Sequence, residues 1–69
     1  MAKLPMFVND YRDHSYAIDF IQHQNGIVIR VQIDDLPWRE DHDSLFPTYD
    51  EARESAIKAA QGIIDRMQR

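Results

Sequence analysis

The sequence contains no cysteine, which removes disulfides and thiolate metal sites from consideration. Two glycines and three prolines in 69 residues leave no low-complexity tract or flexible linker. No run approaches the ~20 apolar residues that a membrane-spanning helix needs. The opening stretch, Met1 to Val8, carries only a short apolar run interrupted by Pro5, unlike a secretory leader. An excess of basic charge is missing too. Eight Lys and Arg stand against twelve Asp and Glu, for a formal net charge of −4. That balance aids solubility and disfavours non-specific attraction to nucleic acid or anionic membrane. The expectation is a cytoplasmic protein with no membrane contact.

A chain of this length is one domain, 1–69. It buries only about 60% of the surface its unfolded chain exposes. Small chains compensate for that with disulfides, a metal or a partner chain. With disulfides excluded, close packing, self-association or a metal held by His and carboxylate remain. Hydrophobic content is 43% and charged content 29%, ordinary for a folded domain.

The clearest local signal is Asn25-Gly26, a dipeptide suited to a type I′ turn with positive φ at both central positions. Strand-like runs flank it, Tyr16 to His23 and Ile27 to Ile33. A turn centred on Asn25-Gly26 places Phe20 opposite Val31, Ile18 opposite Ile33, Asp19 opposite Gln32 and Ile21 opposite Arg30. Ile18, Phe20, Ile29, Val31 and Ile33 then share one face. Ala17, Asp19, Ile21, Val28, Arg30 and Gln32 share the other.

The second signal is Thr48-Tyr49-Asp50-Glu51, a capping box that starts a helix. Pro47 forbids an earlier start. Tyr49, Ala52, Ala56, Ala59, Ala60, Ile63 and Met67 recur at helical spacing, widened by Ile57 and Ile64. Residues 4–9 read as a short strand along a hairpin edge. Residues 34–47 read as the longest irregular stretch, anchored by Leu36, Trp38, Leu45 and Phe46, with a short strand near 44–46. The expected fold is α+β: an antiparallel sheet of three or four strands with one long C-terminal helix packed on one face. Its expected core is Ile18, Phe20, Ile29, Val31, Ile33, Phe46, Ala52, Ala56, Ala59, Ile63 and Met67.

Chemistry-bearing groups are sparse. Glu40-Asp41-His42-Asp43 is the densest set of potential metal ligands. Its spacing matches no established coordination loop, and a solvated loop tip is the simpler reading. His14 and His23 fall at opposite ends and on opposite faces of one strand, so they cannot share a site. Nothing gathers a Ser, a His and an acid. No catalytic residue, cofactor or metal is implied, and an enzyme is not expected. Arg12, Arg30 and Arg39 could lie on the sheet or near its edges. Without a basic stripe or an aromatic pair, nucleic-acid binding is the alternative rather than the first reading. A protein-interaction role needs fewer special groups. Ile21, Val28, Arg30 and Trp38 are the candidate surface, although a large aromatic such as Trp38 is more often used to close a core.

Tyr11-Arg12, Phe46-Pro47-Thr48-Tyr49-Asp50-Glu51-Ala52, Ala56 and Ile64-Asp65 resemble a group of small uncharacterised proteobacterial proteins with a strand hairpin and a capped helix. The resemblance implies a fold and no activity. Asp35-Leu36-Pro37 with Thr48 to Ala52 is similar to HicB-type antitoxins. That similarity implies binding to a small toxin ribonuclease, but the chain lacks the Gly-Cys that often follows the Leu-Pro. Taken together, the expected function is a small non-enzymatic interaction or regulatory module, a homodimer through an exposed strand face or edge, with the sheet face away from the helix covered either by residues 4–9 or by another chain.

Overall fold

A computed structural model describes residues 4–68, apart from the side chains of residues 41–43. Four antiparallel strands run in chain order across one sheet: β1 Phe7–Tyr11, β2 His14–His23, β3 Gly26–Ile33 and β4 Arg39–Phe46. One helix, α1 Tyr49–Met67, packs on a single face. The expected α+β class is the class found. Among the described residues no helix is long and apolar enough to cross a membrane.

The central hairpin forms, but not in the register expected. Phe20 stands opposite Ile29, Ile18 opposite Val31 and Tyr16 opposite Ile33. The turn residues are therefore Gln24 and Asn25, between the paired His23 and Gly26. Neither turn residue has positive φ; Gly26 does, at 148°, so this is not a type I′ turn. A Cβ on Gly26 would lie 3.1 Å from the Phe46 carbonyl oxygen and 3.2 Å from Leu45 Cβ. Glycine is needed here for its φ and for the close approach of β4. The shift is two residues, an even number, so every side chain keeps its expected face while its cross-strand partner changes. The turn with positive φ at both central residues is the one between β1 and β2, at Arg12 (49°) and Asp13 (66°).

The core face gathers Tyr16, Ile18, Phe20, Ile27, Ile29, Val31 and Ile33 from the central strands. The helix meets them with Ala52, Ala56, Ala60 and Ile64, all fully buried. This corrects the expected core: Ala59 is exposed, Ile63 half-buried and Met67 43% exposed. The buried row keeps a spacing of four, the ridge inclined ~26° to the helix axis. Three small alanines on that ridge let the helix lie close to the bulky strand residues. Thr48 caps the helix, accepting from Glu51 N–H at 3.2 Å. Tyr49 closes its first turn against Phe20, with ring centroids 4.5 Å apart.

A strand does lie along the β2 edge, but it runs Phe7–Tyr11 in place of the expected 4–9, with residues 4–6 outside it, and Phe7 packs near Tyr16 on the core side. The 34–47 stretch is a second correction. Only 34–38 is irregular; Arg39–Phe46 is a full edge strand paired to β3, with an irregular register between Ile27 and Ile29. Leu36, Trp38 and Leu45 are 43%, 37% and 48% exposed and do not anchor the core, while Phe46 is half-buried against it. Glu40-Asp41-His42-Asp43 therefore lies in a strand and not at a loop tip. The charges of Arg39 to Asp43 suit an edge, where they discourage pairing with another strand.

Candidate interaction surface

The face of the sheet opposite α1 has no layer over it among the described residues. Strand alternation and register assign its residues. Val8 of β1 stands beside Ala17 of β2, which stands beside Gln32 of β3. One row along the strands, Asp19, Arg30 and Glu40 stand side by side on β2, β3 and β4. A further row holds Ile21 and Val28.

The two-residue shift in register creates the central feature of this face. Arg30 Nη2 donates to Asp19 Oδ2 at 2.5 Å. Asp19 is only 8% exposed, and its other oxygen accepts from the Phe20 backbone N–H at 3.1 Å. Arg30 Nη1 lies 3.8 Å from Glu40 Oε1. The guanidinium carbon sits 5.2 Å from the centre of the Trp38 ring, a cation–π distance. Arg30 Nε is buried and has no hydrogen-bond partner among the described residues.

The four predicted surface residues thus share this face. Arg30 and Trp38 form one stacked unit, Ile21 is half-buried and Val28 is 7% exposed. Val28 is already covered within the chain, so it backs the surface more than it presents one. Trp38 does not close the core, as its size suggested. The alternation of β3 turns Arg30 away from the helix, and Trp38 follows it. Val8, 61% exposed, is the surface residue that sequence reading missed. Its signal was available in the strand expected over residues 4–9, whose period places Val8 opposite the core-facing Phe7.

A second polar assembly lies at one end of the sheet. Tyr11 Oη donates to Asp65 Oδ1 at 3.0 Å and Arg12 Nη1 to the same oxygen at 2.7 Å. His14 Nδ1 lies 2.7 Å from Asp34 Oδ2, and the Ser15 N–H donates to Asp34 Oδ1 at 2.9 Å. Because a carboxylate only accepts, Nδ1 carries the proton. In the neutral ring Nε2 then accepts from Gln68 Nε2, 2.7 Å away. Asp34, at φ 51°, turns the chain out of β3, and its own N–H donates to the Ser15 carbonyl at 2.7 Å. The Arg12 guanidinium, and after it the Tyr11 hydroxyl, hold the Asp65 carboxyl below its ordinary range. His14, and after it the Ser15 N–H, do the same for Asp34. Hydrogen bonding to Asp65 raises both Tyr11 and Arg12.

Tyr11, Arg12, His14, Ser15 and Asp34 border an open cleft of about 430 Å³. Both ring nitrogens of His14 are engaged, so the ring offers no free lone pair to Ser15 as a general base would. The arrangement ties the β1–β2 turn and the exit of β3 to the helix C-terminus. His23 is exposed beside its turn. Among the described residues no three His, Asp or Glu side chains are grouped to hold a metal ion. The Asp41, His42 and Asp43 side chains of the acidic stretch lie outside the described residues. Comparison with family models, with curated proteins and with solved structures returned no match.

Proposed function

We propose that this chain is a non-enzymatic protein-interaction module that pairs with a second copy of itself through the sheet face opposite α1. The single observation that carries this reading is the composition of that face. Val8 is 61% exposed and Trp38 37% exposed beside a half-buried Ile21, around an arginine stacked on a tryptophan. Exposed apolar groups around Arg and Trp are the usual material of interface centres. The β4 edge is less suited to self-pairing. β4 carries the acidic run Glu40-Asp41-His42-Asp43, which would meet its own copy with like charge. Arg30 is taken up by Asp19, so the face presents little to a phosphate backbone.

A face of four strands spaced ~4.8 Å, about 20 Å long, covers roughly 400 Å², or roughly 800 Å² for a pair. That is below the ~1,200 Å² of long-lived complexes, so the dimer should dissociate on dilution. Sedimentation across a dilution series tests the reading. Two-chain mass at high concentration should fall toward one-chain mass on dilution, and Ile21→Lys should be one chain throughout with unchanged circular dichroism. A wild-type chain that is monomeric at every concentration would overturn it.

A further inference from the structure

We infer that the tip of the central hairpin, Asn25-Gly26, is a site of spontaneous covalent modification, at which Asn25 converts to aspartate and isoaspartate through a cyclic imide. Asparagine is a thermolabile residue. The reaction needs a side-chain amide that is free to turn and a following backbone nitrogen that it can reach.

Both are present at this tip. Asn25 is exposed. Among the described residues no hydrogen bond engages its side chain; the side-chain bond at the tip belongs to Gln22, whose Nε2 donates to the His23 carbonyl at 3.0 Å. Gly26 is the first residue of β3, and its pairing with His23 is the last of the β2–β3 ladder. Such end pairs open at the least cost in free energy. Without a Cβ, Gly26 leaves its own nitrogen open to approach from the side chain before it. The fold cannot close that opening, because a Cβ at position 26 would meet Phe46 O and Leu45 Cβ of β4. The glycine that admits the edge strand is the glycine that exposes the nitrogen.

The Gly26 nitrogen, its proton given up to solvent hydroxide, bonds to the side-chain carbonyl carbon of Asn25. The bond from that carbon to Nδ2 breaks, and ammonia leaves with a proton taken from water. Water then adds to one of the two imide carbonyls. Cleavage at the side-chain carbonyl restores the main chain with aspartate at position 25. Cleavage at the main-chain carbonyl routes the backbone through the side chain, as isoaspartate. Nothing is oxidised or reduced; water is consumed and ammonia released. Either product adds a negative charge to a chain of formal net charge −4. Isoaspartate also lengthens the main chain by one carbon, beside a glycine wedged against β4. It should therefore loosen the pairing of Ile27 with Phe46, whereas aspartate should not.

The chain carries its own control. Its other asparagine, Asn9, lies inside β1 opposite Tyr16 and precedes Asp10, whose Cβ crowds the nitrogen.

The test incubates the wild-type chain warm at mildly alkaline pH, folded and, in parallel, unfolded in guanidinium. Peptide mass spectrometry with electron-transfer fragmentation follows residue 25 and separates isoaspartate from aspartate. The folded chain should convert at Asn25 within about a hundredfold of the unfolded rate, since only an end pair must open. A chain that reacted only when globally unfolded would be slower by about a thousandfold or more. A folded rate lower by more than about a hundredfold would overturn the site. So would conversion of Asn9 alongside Asn25 in the folded chain, and aspartate without isoaspartate would overturn the imide route. The isoaspartyl form, isolated by ion exchange, should exchange its Ile27 and Phe46 amides faster than Asn25→Asp, which has the same charge and an ordinary backbone. Matched exchange in the two would overturn the loosening of β4.

Discussion

Asp19 and Arg30 face each other across β2 and β3, joined by a 2.5 Å bond, but the carboxylate is buried and the guanidinium only partly so. Their side chains are 12% and 33% exposed. The asymmetry decides which partner is harder to remove. Arg30→Ala strands a carboxylate with little access to water and should cost about 3 kcal/mol. Asp19→Ala leaves a guanidinium on a flexible stem that can turn outward, and should cost about 1–2 kcal/mol. The double variant should cost less than the sum of the two. Urea unfolding of the four proteins checks the order; equal single costs would refute it.

The two glycines should respond to alanine in opposite directions. Gly26 has φ 148° and two atoms of β4 within 3.2 Å of the position a Cβ would take. Gly26→Ala should lose about 2–3 kcal/mol, by strain and by displacing the end of β4. Gly62 sits inside α1 with nothing within 4 Å of its would-be Cβ. Gly62→Ala should gain up to about 1 kcal/mol from helix propensity. Thermal melts at one pH suffice, and a stabilising Gly26→Ala would contradict the local geometry.

Stability should fall off at both ends of the pH scale, through groups on the helix-end staple. Asp65 and Asp34 have folded values below the ordinary 3.8. Their contribution is therefore fully present above pH 3.8 and is lost as pH falls through the lowered values. Tyr11 is raised above 10.0, so its contribution is present below that pH and is lost as pH rises through the raised value. Asp65→Asn should flatten both limbs, since Asp65 is the acceptor for Tyr11 and Arg12. Denaturant midpoints from pH 2 to pH 11 would show it; an acid limb unchanged in Asp65→Asn would assign the loss to other carboxylates.

Much of this fold was legible in the residues. The helix start was written in Thr48 and Pro47, and the sheet faces in the alternation of Ile18 to Phe20 and Ile29 to Ile33. Face assignment survived an error in the turn because the error was even. Partners did not survive it: Asp19 was expected opposite Gln32, and the central ion pair went unseen. The Asn25-Gly26 signal misled because Gly26 answers to β4, a distant strand, as well as to its own turn. β4 was mostly hidden because an edge strand is held by pairing on one side, and Arg39 to Ser44 carries no apolar alternation to betray it. The helix stripe was read too broadly; only the packing direction chooses the row through Ala60 and Ile64 over the one through Ala59 and Ile63. The staple was beyond reach, since Arg12 and Asp65 are 53 positions apart and the short pairs Tyr11-Arg12 and Ile64-Asp65 carry no signal that one should meet the other.

That staple gives the molecule an unusual relation between its extremities. Tyr11, Arg12 and His14 near the start hold Asp65 and Gln68 near the finish. The final helical turn, ordinarily the first part of a helix to fray, is fastened to a hairpin whose tip holds two residues at positive φ. Opening either one releases the other. Amide hydrogen exchange should accordingly find the first hairpin and the last helical turn behaving as one cooperative unit, with matched protection, in place of two independently frayed ends.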